Sequence, residues 1–190
     1  MSDTMTNAPA ANGAGDQRAS AAQQGGHHTR IDYQKADPAA IRAMMGLETY
    51  VRGSGLEHSL LELVKLRASV MNGCAYCVDM HTKDARAAGE TEQRLYAVPV
   101  WREGPFFTPR ERAALEWTEA LTDLSAGVPD DVYERARAEF SEQELVALSL
   151  AVVAINGWNR IAIGFRAPVG TYQPPQRHQA HAQPEGAGAA

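Results

Sequence analysis

Apolar side chains along this chain recur every three or four residues, and no stretch alternates with the period of two that marks a half-buried strand. The pattern predicts an all-α protein. Asp37-Pro38 is a helix start, an N-cap residue followed by proline at the first helical position. That helix is expected to run to about Val51 with Ile41, Met44, Met45 and Leu47 on its apolar side, stopping at Gly53. Gly53-Ser54-Gly55 reads as an interhelical turn, and Ser54 to Met71 as a second helix with a broad buried face around Leu60, Leu61 and Val64. Cys74 to Ala88 is predicted helical, with Gly89 as its stop. Thr91-x2-Arg94 opens a short helix near Leu95-Tyr96-Ala97, and Pro99 to Phe107 reads as a loop anchored by Trp101, Phe106 and Phe107. Capping boxes at Thr108–Glu111 and Ser141–Glu144 open two further helices. The first should reach about Leu124. Between them a helix capped by Asp130 or Asp131 should run through Phe140. The run Leu145 to Ile155 is apolar nearly all round, so it is expected at the centre or in an interface. Asn156-Gly157-Trp158-Asn159 is expected to break or bend it.

Composition trims this picture at both ends. Residues 1–30 are rich in Ala, Gly, Gln, Asn and Ser and nearly free of large apolar side chains, so they are expected to be a disordered tail. Residues 169–190, running through Pro174-Pro175 to Gly186-Ala187-Gly188, are read the same way. The helical domain is therefore placed at 31–168. His27, His28, His178 and His181 fall outside it and are read as surface residues rather than metal ligands. A net charge of −5 and a pI of about 5.7 offer no nucleic-acid footprint. Neither a membrane span nor a signal peptide is expected, so the chain is read as cytoplasmic.

Chemistry concentrates in one stretch. The chain has two cysteines, Cys74 and Cys77, with His81 one turn after the second and Glu62 twelve residues before the first. On a helix Cys74, Cys77 and His81 share a face. In a reducing compartment a Cys-x2-Cys pair is more often catalytic or metal-binding than a permanent staple, and it is read here as a dithiol redox centre. Only a thiolate attacks, and either a helix N-terminus or a nearby histidine lowers thiol pKa. The first argument selects Cys74 and the second Cys77, so spacing does not name the nucleophile. Glu62 is expected to orient His81. Three other readings fit the same residues: a zinc site of Cys74, Cys77, His81 and Glu62, an inert buried pair in a structural interaction module, and a decarboxylase or lyase using Glu62 and His81. A thioredoxin-like fold is disfavoured, since no strand precedes the motif. No metal and no other cofactor is required. Trp101, Trp117 and Trp158 are read as core or interface anchors, and Tyr76, between the thiols, as a candidate wall of the substrate pocket.

Glu62-x11-Cys74-Ala75-Tyr76-Cys77-x3-His81, with Leu63-Val64-Lys65-Leu66-Arg67 and Asn72-Gly73 around it, resembles the alkylhydroperoxidase D-like branch of the carboxymuconolactone decarboxylase family. The likeness extends in general pattern over about residues 32–166. It implies an all-helical, oligomeric peroxidase, a trimer or a hexamer, that reduces hydroperoxides through its cysteine pair. By the family's pattern Cys77 is the peroxidatic cysteine and Cys74 the resolving one, while Glu62 and His81 form a proton relay. A lipoyl adaptor or a thioredoxin-like protein would supply the electrons. The family's histidine before the second cysteine is replaced here by Tyr76.

Overall fold

The computed structural model describes residues 28–175. Expectations for the remaining tail residues, including His27, His178 and His181, lie outside this range. The described residues are all-α, as expected. Eight helices follow in order: α1 (Tyr33–Ala36), α2 (Pro38–Arg52), α3 (His58–Met71), α4 (Ala75–Ala87), α5 (Glu92–Ala97), α6 (Pro109–Thr122), α7 (Asp130–Glu139) and α8 (Glu142–Phe165). A single 3₁₀ turn, Val98–Val100, extends α5.

Local chemistry sets most of the boundaries. The Asp37 carboxylate accepts from the Ala39 and Ala40 amides at 3.0 Å each, ahead of Pro38. Both capping boxes form, at Thr108/Glu111 and Ser141/Glu144. Three expectations need correction. α3 starts at His58 rather than Ser54, because Gly55 takes a φ of +91° and the chain stays extended through Glu57. Pro129, not an aspartate, holds the N-cap position of α7. Finally, α8 runs unbroken through Asn156-Gly157-Trp158-Asn159. Gly157 serves a close approach instead, since a Cβ there would stand 2.9 Å from Met44 Cε on α2.

α3 is the centre of the bundle and packs against α4, α6 and α8. Its residues Leu60 to Leu66 are buried without interruption. Each fully buried Leu or Val there is worth roughly 1.5–3 kcal/mol. Two of the residues in that run carry charge, Glu62 and Lys65, so this helix brings ionisable groups into the core. One apolar cluster joins α2, α3, α6, α7 and α8, and another joins α3 and α4 to Trp101, Phe107 and Leu115. A third surrounds the cysteines, with Ala68, Ile155, Ala162 and Ala167.

α8 is also long and apolar enough to cross a membrane by length and composition, for an 18-residue window of it has a mean hydropathy of 1.5. Its apolar content serves the bundle on one side, where Leu148, Ala151, Val152 and Ile155 are buried. On the other side Val146 and Val153 stay exposed.

Candidate active site

The structure gathers all four residues of the sequence motif. Asn72-Gly73 ends α3 with Gly73 at a φ of +67°, turning the chain directly into α4. Cys74 lies one residue outside the helix expected to contain it. Its backbone is extended, and its Sγ accepts from the Cys77 amide at 3.4 Å, so the sulfur itself is the N-cap of α4. Both cysteines are free thiols, each 1% exposed.

Hydrogen bonding divides the two sulfurs. The Cys77 thiol donates to Cys74, and this bond does most to lower the Cys74 pKa, to about 7 from an ordinary 9.0. Burial opposes that shift; the Cys77 and Tyr76 amides and the Asn159 side chain add to it. The same shared proton pushes the Cys77 thiol up, and burial pushes it further. A thiolate is therefore held first on Cys74, at the helix N-terminus, with Cys77 as its proton donor.

His81 does not contact Cys77 through a hydrogen bond. Its Nδ1 lies 2.8 Å from Glu62 Oε2, and both residues are 5% exposed. Burial works against a charged Glu62, but the bond from His81 and the charges of Lys65 and His58 outweigh it, and the carboxyl stays below its ordinary range. An ionised Glu62 can only accept, so Nδ1 carries the hydrogen and the other ring nitrogen holds the lone pair. That second nitrogen, Nε2, is buried without a hydrogen-bond partner.

A cavity of about 230 Å³ gives this arrangement a use. Cys77 and His81 line it, together with Tyr33, Tyr76, Trp158 and Tyr172. Tyr172 comes from beyond the boundary drawn at residue 168: its hydroxyl donates to Asp84 Oδ1 at 2.7 Å, and Lys83 Nζ donates to its carbonyl at 3.0 Å. Lys65 and Glu48, also on the wall, form a buried ion pair at 2.7 Å.

Other members of the site were not anticipated. Asn159, fully buried on α8, donates to Ser69 Oγ at 3.0 Å, accepts from Asn72 at 2.9 Å and acts to lower the pKa of both thiols. A buried asparagine in an apolar helix was the available signal, because such a side chain needs partners. Among the described residues the donor groups that gather within 4.8 Å of one another are Glu62, His81 and Asp84, without either cysteine. The alternative zinc set of Cys74, Cys77, His81 and Glu62 does not come together as one group among the described residues.

Comparison with known proteins agrees with the geometry. The sequence pattern of the carboxymuconolactone decarboxylase family matches residues 38–120. The uncharacterized protein YdfG of Bacillus subtilis is 46% identical over 135 residues, 70% of this chain and 92% of its own. A crystal structure from Agrobacterium tumefaciens is 51% identical, with a TM-score of 0.74 over 76% of this chain and all of that one. The function of that protein is unknown, and an AhpD role in antioxidant defence has been suggested for it. This chain belongs to the carboxymuconolactone decarboxylase family, in its alkylhydroperoxidase D-like branch. The debrominase Bmp8 superposes with a TM-score of 0.67 at 17% identity, over 73% of this chain and 75% of its own, which is a likeness of fold alone.

Proposed function

We propose that the protein is a thiol peroxidase that reduces hydroperoxides by cycling Cys74 and Cys77 between dithiol and disulfide. The observation that carries this reading is the unpartnered Nε2 of a buried, Glu62-oriented His81 in the same cavity wall as Cys77. A resident acid–base group and a reactive sulfur then face one bound molecule.

In this scheme the Cys77 proton passes along its hydrogen bond to the Cys74 thiolate as the Cys77 sulfur attacks the terminal peroxide oxygen. The O–O bond breaks, Cys77 becomes a sulfenic acid, and the departing alkoxide leaves as alcohol with a solvent proton, which the lone pair of His81 Nε2 picks up and passes on. The Cys74 thiol then condenses with the sulfenic acid, forming the disulfide and releasing water. An external dithiol supplies two electrons and two protons to restore the pair. Such a cycle needs a reducing compartment, and on that ground the protein is placed in the cytoplasm. Exposed Val146 and Val153, seven residues apart on α8, give it an apolar stripe suited to a homo-oligomer.

The test is consumption of organic hydroperoxides by the purified protein with a panel of dithiol reductants, run beside Cys77→Ser. Catalysed consumption that disappears in the variant supports the reading. Consumption equal in both, or none with any peroxide, sinks it.

A further inference from the structure

The two cysteines line different cavities. Cys77 belongs to the aromatic one, whereas Cys74 lines a separate groove of about 400 Å³ with Arg30, Gly73, Ile163, Arg166 and Val169. Tyr76 and Ala162 border both and so divide them.

The second groove has a charge that its neighbours leave unanswered. Arg30 is fixed there by its own backbone, whose amide donates to Phe165 O at 2.9 Å, while its Nη1 donates to Gly164 O at 3.0 Å. Arg166 closes α8 with a φ of +54°, a left-handed conformation that non-glycine residues seldom adopt. Among the described residues no carboxylate comes within 4 Å of either guanidinium, in contrast to Arg94, Arg102, Arg110 and Arg135, which all hold ion pairs. The N-terminus of α4 adds its partial positive charge at Cys74. A sulfur, two cations and an apolar floor of Ile163 and Val169 thus share one groove.

We propose that this groove receives a small, carboxylate-bearing dithiol, which enters opposite the hydroperoxide and reduces the disulfide at the Cys74 sulfur. The inference rests on the peroxidase reading and names its reductant. One thiolate of the dithiol attacks Cys74 Sγ, and the Cys74–Cys77 bond breaks. Cys77 departs as a thiolate and takes up a proton. The second thiolate of the reductant then attacks the reductant's own sulfur in the mixed disulfide, closing a cyclic disulfide and releasing Cys74 as a thiolate. Two electrons move from the dithiol to the cysteine pair. Arg30 and Arg166 hold the carboxylate and are binding residues, with no part in the bond exchange.

The test uses the full-length protein with its disulfide formed by diamide. It is mixed at low ionic strength with dihydrolipoate or dihydrolipoamide, which share a dithiol and differ by one charge. Newly freed thiols are alkylated at timed intervals and counted by mass. Dihydrolipoate should react about tenfold faster, and the advantage should fade toward unity as salt screens the groove. The ratio should fall to about one in the pair Arg30→Gln with Arg166→Asn, asparagine being tolerant of the left-handed backbone. It should persist in Arg166→Lys and in Arg42→Gln, a remote exposed arginine on α2. Equal rates for the two dithiols in the native chain overturn the proposal. A preference that survives the double substitution overturns it as well, as does an equal loss of both rates. The measurement starts from a chemically formed disulfide, so inertness of the reduced protein toward hydroperoxides would count against the peroxidase reading alone.

Discussion

Cys77 faces a cavity whose inner ionisable groups are answered, Lys65 by Glu48, His81 by Glu62 and Asp84 by the Tyr172 hydroxyl, with the exposed Arg52 at its edge. Cys74, one turn away, faces a groove in which Arg30 and Arg166 meet no carboxylate among the described residues. The first environment suits a neutral, bulky molecule held among aromatic rings, and the second an anion. The difference teaches that a dithiol one turn long can serve two reactants without their competing for one entrance. Each sulfur needs only a surface of its own, and Tyr76 supplies the partition.

The strongest way to break this comparison is to remove one sulfur at a time. Cys77→Ser should lose rapid reaction with hydroperoxides completely. Cys74→Ser should keep one turnover and leave a sulfenic acid on Cys77, detectable by dimedone labelling and mass spectrometry. A sulfenic acid found on Cys74 in Cys77→Ser would exchange the roles of the two faces.

A second contrast concerns stability. Glu48→Ala strands the buried Lys65 ammonium on the Cys77 side and should cost about 3–5 kcal/mol in urea unfolding. Arg166→Asn on the opposite side should fall within about 0.5 kcal/mol of the native chain. A loss below about 1 kcal/mol for Glu48→Ala would mean that the ion pair is solvated and that the two walls are less different than drawn.

Removing the acid–base group sharpens the Cys77 side further. His81→Ala should slow the hydroperoxide step about 10²-fold, read by stopped-flow tryptophan fluorescence. Glu62→Gln should cost less, because the imidazole remains. An unchanged rate in His81→Ala would take the proton donor out of this cavity.

The smallest effect is a titration. Alkylation of the reduced protein should rise with pH to a plateau with a midpoint near 7, the value to which Cys74 is lowered. Since that folded value lies below the ordinary 9.0, the Cys74 thiolate adds stability as pH climbs from about 7 to 9 and loses it as pH falls through 7. Removing the donor in Cys77→Ala should move the Cys74 midpoint up by about one unit, equal to about 1.4 kcal/mol. A midpoint that stays near 7 would assign the shift to the helix terminus alone.

Sequence reasoning reached the parts of this architecture that depend on neighbours in the chain. Asp37-Pro38 and the two capping boxes are local hydrogen-bond arrangements, and each forms as read. Glu62, Cys74, Cys77 and His81 are likewise brought together, since α3 and α4 are joined by the tight Asn72-Gly73 turn. The errors arose where distant residues decide. Asn156 and Asn159 look like helix breakers, yet Asn156 donates to Thr122 and Val152, and Asn159 is held by Ser69 and Asn72. Asn159 is spent on distant partners, and the one bond Asn156 makes back to its own helix, to Val152 O, leaves α8 unbroken. Glu48 and Tyr172 reach the cavity from 17 residues before Lys65 and 88 residues after Asp84, separations that no local pattern encodes. The i+4 spacing of Cys77 and His81 brings both to one cavity wall without a hydrogen bond between them, while Glu62 engages Nδ1 of the ring.

The docking of Tyr172 determines where this polypeptide tolerates being shortened. A chain cut after residue 168, at the edge suggested by its composition, would lose the phenol that caps Asp84 and the carbonyl that engages Lys83. The helices would remain, but the aromatic cavity would lack one of its four rings. If the cavity holds a hydroperoxide as proposed, affinity for a bulky one would then drop while hydrogen peroxide, which has no body to hold, would be reduced as before. Shortened and full-length enzymes of identical fold would differ in what they prefer to consume.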